Sequence, residues 1–196
     1  VLARREFFGK SLVATLLLAP IALPPVVTGF ILLRLFGRSG YFGSLLAAIG
    51  LQVPFTTLGA GIAAFVVSFP LFLLTTRSAF ALVDRRFEEV SATLGSRPRQ
   101  TFWRVTIPLA LPGIGAGALL AFARAIGEFG ATAVLAGNVA DETRTIPLAI
   151  YTLLESPGGT TEIWWLVGVS LALSLVGVVG FEWFNRRQRR RLEARS

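Results

Sequence analysis

Four stretches of this chain carry no charged side chain: residues 11–33, 39–76, 105–123 and 163–181. Runs of that kind leave little choice of fold. A helix of roughly 20 residues crosses a hydrocarbon core of about 30 Å with its backbone groups bonded internally, and three of the four runs have about that length. The second is too long for one span. Its start at Ser39-Gly-Tyr-Phe-Gly43 and the interruption Gln52-Val-Pro54 predict a re-entrant or interfacial piece, followed by a span from Phe55 to Thr76. The expectation is an all-α, polytopic transmembrane bundle of four spans, forming a single domain over residues 1–196.

The rest of the composition narrows the chemistry. Hydrophobic residues make up 54% of the chain and charged ones 15%, too few charges to cover a large soluble core. Histidine and cysteine are absent, which excludes disulfides, thiol chemistry, histidine proton relays and the usual zinc sites. No carboxylate is paired with a nucleophile or a metal cluster, so the sequence nominates no catalytic residue, no metal site and no cofactor of its own.

The charges orient the spans. Arg4, Arg5 and Lys10 precede the first run; Arg77, Arg85, Arg86, Arg97, Arg99 and Arg104 lie between the second and third; Arg186, Arg187, Arg189, Arg190 and Arg191 follow the fourth. The positive-inside rule makes those three regions cytoplasmic, and with them both ends of the chain. The opposite loops carry Arg34 and Arg38, and then Asp141, Glu142, Arg144, Glu155 and Glu162. The net charge of +8 therefore reads as topology rather than as a nucleic-acid footprint. Residues 1–10 have no initiating methionine and look like a cytoplasmic turn between spans, which predicts a further span upstream.

Residues 81–104 change pattern from uniformly apolar to amphipathic. Val83, Phe87, Val90 and Leu94 recur at helical spacing, while Asp84, Arg85, Glu88 and Glu89 occupy other parts of the surface. Asp84 and Glu88 near the start oppose the helix dipole, Gly95 lets the chain leave helical geometry, and Pro98 suits the first turn of a second helix. Such a helix-turn-helix serves either as an interfacial connector resting on lipid and neighbouring spans, or as a projection that fits a groove on a cytoplasmic protein.

Glu89, Ser91, Gly95, Val105, Ile107 and Pro108 resemble the signature of ABC importer permeases, a Glu-Ala-Ala triplet followed at fixed spacing by Gly and then by an aliphatic-x-Leu-Pro group. Val90 and Ser91 depart from the paired alanines, although Ser91 remains small. The resemblance implies a type I ABC importer permease fold in which residues 81–104 form an ATPase-coupling segment. It also implies a second permease copy, two cytoplasmic ABC ATPases holding ATP and magnesium, and an extracytoplasmic binding protein.

The third run is rich in small residues, with Gly113, Gly117 and Ala121 spaced by four so that another helix can approach, and with a bend expected at Pro112. Arg124 and Glu128 then share a helical face beside Gly127 and Gly130. An arginine here should face the bundle interior or a wet cavity. The two charges either pair and orient the helix, or line a gate and exchange partners as it opens. Gate or pathway candidates are Arg124, Glu128, Gly130, Asn138 and Thr143. Thr28, Thr56, Thr57, Asn138 and Thr143 offer neutral hydrogen bonds, although a threonine in an apolar helix often bonds its own preceding carbonyl.

The strings Phe122-Ala-Arg-Ala-Ile-Gly-Glu-Phe-Gly-Ala131, Gly137-Asn138 and Glu142-Thr-Arg-Thr-Ile-Pro-Leu-Ala-Ile-Tyr151 are similar to molybdate ABC transporter permeases. Pro24-Pro25-Val-Val-Thr-Gly29 and Ser156-Pro-Gly-Gly159 fit the same pattern. The likeness implies a homodimeric permease of a bacterial or archaeal cell membrane that moves molybdate, or tungstate, inward. Sulfate permeases share the Gly-Glu-aromatic-Gly element, so a sulfate or other oxyanion permease is one alternative and a non-transporting assembly subunit another.

Overall fold

The computed structural model describes residues 7–156 and 160–193. Arg4, Arg5 and residues 157–159 lie outside them, as do the side chains of Arg187, Arg189, Arg190 and Arg191. The described residues form helices and no strand: α1 (Lys10–Ala22), α2 (Pro25–Phe36), α3 (Gly43–Ala48), α4 (Thr57–Ala81), α5 (Arg85–Thr93), α6 (Pro98–Thr101), α7 (Ile107–Ile126), α8 (Gly130–Leu135), α9 (Ile146–Glu155) and α10 (Thr160–Glu193). A π-helical turn, Phe102–Thr106, joins α6 to α7.

Three helical stretches are long and apolar enough to cross a membrane: Thr57–Ala81, Pro98–Ile126 and Thr161–Trp183. The expected span over residues 11–33 is interrupted in the structure. It folds as α1 and α2, of 13 and 12 residues, each shorter than a span. The cause is Pro24-Pro25. Pro24 sits in extended backbone at φ −55° and ψ 136°, and Pro25 opens α2 at a position where its missing N–H costs nothing. Residues 39–54, expected to form a re-entrant or interfacial piece, hold the short helix α3 and the turn that follows it.

Contacts divide the chain into two units. One holds residues 17–70 and 122–175. Its core gathers Leu32, Val53, Ala63, Val67, Ala131 and Leu135. Helices α2 and α8 meet there at reciprocal glycines: a Cβ on Gly29 would stand 2.8 Å from the Ala131 Cα, and one on Gly130 would stand 3.0 Å from Val26 Cγ2. Neither helix carries a side chain where the other's backbone arrives, which is how small residues bring membrane helices together.

The other unit holds residues 1–16, 71–121 and 176–196. Ala79, Val83 and Ala110 form its core, with Phe80, Leu109 and Ile114 packed against them. Gly113 and Gly117 of the small-residue stripe are buried, and a Cβ on Gly117 would lie 3.1 Å from Thr75 Cβ. The stripe thus lets α7 lie close against α4. On α10, Gly180 faces Leu119 in the same way.

Candidate functional site

The amphipathic segment folds as a helical hairpin with both ends of α5 capped. Asp84 is the N-cap, its carboxylate accepting from the Arg86 N–H at 2.9 Å. At the other end Gly95 adopts φ +82°. The Gly95 N–H donates to the Ala92 carbonyl and the Ser96 N–H to the Ser91 carbonyl, the paired bonds of a Schellman cap. A Cβ on Gly95 would meet nothing within 4 Å, so the glycine is required by its backbone angle and not by space.

Two polar contacts hold α5 onto the returning chain. The Ser91 and Thr101 hydroxyls lie 3.0 Å apart, and the Thr106 hydroxyl donates to Glu88 Oε1 at 2.7 Å. Half-buried Ser91 thus meets the returning chain at Thr101. Glu89, by contrast, is exposed, and Val105, Ile107 and Pro108 belong to the π turn and the start of α7 rather than to the hairpin contact. The four apolar positions separate as well: Val83 is buried ahead of α5, whereas Phe87, Val90 and Leu94 are exposed. Phe87, Val90 and Leu94 thus leave apolar surface exposed on a helix that Glu88 and Ser91 fasten to the returning chain.

The second set of candidates splits in two. Arg124 Nη1 donates to Glu128 Oε2 at 2.9 Å, and the other Glu128 oxygen accepts from the Ala131 N–H at 2.8 Å. The Glu128 side chain is 1% exposed and that of Arg124 36%. The carboxylate thus bridges the last turn of α7 and the first turn of α8, beside buried Gly130. The paired arrangement expected from the spacing is present.

Asn138 and Thr143 sit in a different network. Asn138 donates to the Thr152 hydroxyl at 2.8 Å and accepts from Arg144 Nε at 2.9 Å. The Thr143 hydroxyl accepts from the Val139 N–H at 3.0 Å, while the Val139 carbonyl collects the N–H groups of residues 142, 143 and 144. Among the threonines, Thr56 bonds the Val53 carbonyl, and Thr57 reaches the Glu142 carbonyl at 2.8 Å. The Thr28 hydroxyl is buried without a hydrogen-bond partner among the described residues.

Sequence reasoning missed Glu88, Thr101, Thr106 and Thr152 as structural partners. Glu88 and Thr106 are eighteen residues apart, and only the folded hairpin joins them. The i,i+4 spacing of Arg124 and Glu128, in contrast, is visible in the sequence itself.

The described residues thus hold three helices of membrane-spanning length, with a tied-down amphipathic hairpin between two of them. The chain belongs to the family of binding-protein-dependent transport system inner membrane components, whose profile matches residues 1–192. It is 40% identical over 193 residues to the molybdenum transport system permease protein ModB of Haemophilus influenzae, covering 98% of this chain and 84% of that one. It is 43% identical to the ModB protein of Escherichia coli, covering 97% and 84%. A probable sulfate transport system permease protein, cysT of Nephroselmis olivacea, is 34% identical over 97% of this chain and 66% of its own length. The fold is that of a solved bacterial ABC transporter involved in import of the acidic polysaccharide alginate, with a TM-score of 0.63 at 17% identity, covering 96% of this chain and 69% of that one.

Proposed function

We propose that this chain is the membrane-spanning permease subunit of an ATP-driven importer that carries molybdate into the cytoplasm. The observation that carries the reading is the 40–43% identity to molybdenum transport permeases across nearly the whole chain, above the 34–37% to probable sulfate permeases. The permease works as a homodimer, receives the dianion from an extracytoplasmic binding protein and has no ATPase site of its own. Two partner ATPases bind ATP and magnesium, and each docks on one hairpin.

The hairpin geometry supports that division of labour. Helix α5 is capped at both ends and joined to the route into α7 by Glu88 and Ser91, so a push on its outer face is passed to a membrane-length helix rather than absorbed by fraying. Phe87, Val90 and Leu94 supply an apolar docking face, exposed Glu89 extends it around the helix past Val90, and Gly95 sets its angle. Basic residues cluster between α4 and α7 and at the end of α10, which supports a cytoplasmic hairpin and a cytoplasmic carboxyl end. The Arg124 and Glu128 pair marks the gate, and Thr28, Asn138 and Thr143 lie toward the ion path.

Reconstitution tests the reading. The chain is placed in vesicles with its ATPase and binding protein, and ATP-dependent accumulation of labelled molybdate is measured with and without excess sulfate. Accumulation that sulfate fails to suppress is expected. Efficient sulfate competition would make it a sulfate permease, and no accumulation of either ion would leave a non-transporting membrane subunit.

A further inference from the structure

The entry to the α6–α7 helix holds a pocket of about 310 Å³ lined by Arg97, Arg99, Gln100, Trp103 and Arg104. Three guanidinium groups and an indole N–H are donors without acceptors. The one acceptor among these side chains, Gln100 Oε1, is taken by the Arg97 backbone N–H at 3.1 Å, which leaves the amide NH₂ to the pocket. No acidic residue lines it among the described residues. Its ligand must therefore be a group of acceptors with negative charge.

Local geometry assembles this set. The Ile107 N–H bonds to the Phe102 carbonyl, five residues back, as a π turn requires. In uninterrupted α-helix, residues 99 and 104 would point about 140° apart. The wider turn brings Arg104 back toward the face of Arg99 and Trp103. Trp103 is held at the edge of the Phe102 ring, centroids 5.8 Å apart, and Phe102 stacks on Phe80 at 6.2 Å. Trp103 nonetheless remains 60% exposed.

Depth in the bilayer identifies the source of the acceptor. The uncharged run 105–123 is about 28 Å of helix and fills the hydrocarbon core by itself. Residues 97–104 then stand in the headgroup layer, where tryptophan is favoured and arginine meets lipid phosphate. We propose that Arg97, Arg99, Gln100, Trp103 and Arg104 form a site for the headgroup phosphate of an anionic phospholipid. Arg99 and Arg104 grip the phosphate from two sides of the widened turn, and Trp103 lies against the glycerol backbone. The proposal rests on the membrane placement of the chain and is independent of the transported ion.

The test uses the permease with its partner ATPase in lipid nanodiscs, with Trp164→Phe, Trp165→Phe and Trp183→Phe leaving Trp103 as the sole tryptophan of the chain. A tryptophan-free ATPase preparation keeps the signal clean. Quenching by brominated phosphatidylglycerol is compared with quenching by brominated phosphatidylcholine at equal mole fraction. Preferential quenching by the anionic lipid is expected, with the preference falling up to about fivefold for each of Arg97→Gln, Arg99→Gln and Arg104→Gln. Equal quenching by the two lipids in the chain with its arginines intact would overturn the proposal, as would a preference unchanged in the triple glutamine variant. Loss of quenching when the ATPase binds would instead make the pocket a protein interface and end the lipid assignment.

Discussion

The Thr106 hydroxyl donates to the Glu88 carboxylate at 2.7 Å, joining the middle of α5 to the π turn through which the chain re-enters the membrane-length helix. A partner pressing on α5 acts on that helix through this bond and through the Ser91 to Thr101 contact. Thr106→Val removes the donor and keeps the shape. The expected outcome is a loss of about 1–2 kcal/mol in thermal stability and a larger loss of coupled transport than of ATPase copurification. Unchanged transport per ATP hydrolysed would reduce the bond to a local fastening.

Gly95 makes a sharper prediction because its surroundings are empty. A side chain there meets no neighbour, so Gly95→Val acts through the left-handed backbone alone, at a cost of about 1–2 kcal/mol. Gly95→Asn, which tolerates that conformation, should restore most of the function. Coupled turnover measured in both variants checks this, and equal impairment would show that bulk matters after all.

For Arg124 and Glu128 the two singles and the double answer different questions. Arg124→Ala strands a carboxylate whose side chain is 1% exposed, and Glu128→Ala also removes the acceptor of the Ala131 N–H. The double replacement should cost less than the sum, with a coupling of about 0.5–3 kcal/mol in thermal unfolding. Arg124→Lys keeps the charge and loses the planar fork, so uptake normalised to folded complex should fall further than abundance if the pair works as a gate. Normal flux in every folded variant would confine the pair to architecture.

At the α2–α8 contact, Gly29→Ala should be worse than Gly130→Ala. The first puts a methyl 2.8 Å from the Ala131 backbone, while the second meets a valine methyl that can turn away as well as the Val26 backbone nitrogen at 3.1 Å. A loss of about 1–3 kcal/mol is expected for Gly29→Ala, read as a lower unfolding temperature in detergent. Equal stability of the two variants would mean that the helices separate freely.

What could be read from the chain alone follows the range of the interactions. The α5 hairpin was legible because its caps, Asp84 and Gly95, act on their immediate neighbours. The Arg124 to Glu128 pair was legible because one helical turn joins it. Apolarity over residues 11–33 spoke of lipid but not of helix continuity, and Pro24-Pro25 decided the latter. The π turn had no sequence signature in residues 102–106, and the Glu88 to Thr106 bond depends on a turn being closed first. Asn138 and Thr143 read as open hydrogen-bonding groups, yet the loop folds so that Thr152, Arg144 and the Val139 N–H engage them.

The Glu128 carboxylate has one further consequence. One oxygen holds the guanidinium of Arg124 in the last turn of α7, and the other holds the Ala131 N–H in the first turn of α8. A single buried side chain is thus the axle pin of the corner between two helices. While it is seated, α8 must follow the end of α7 like the short arm of a bell crank. Swinging one arm alone means drawing the pin.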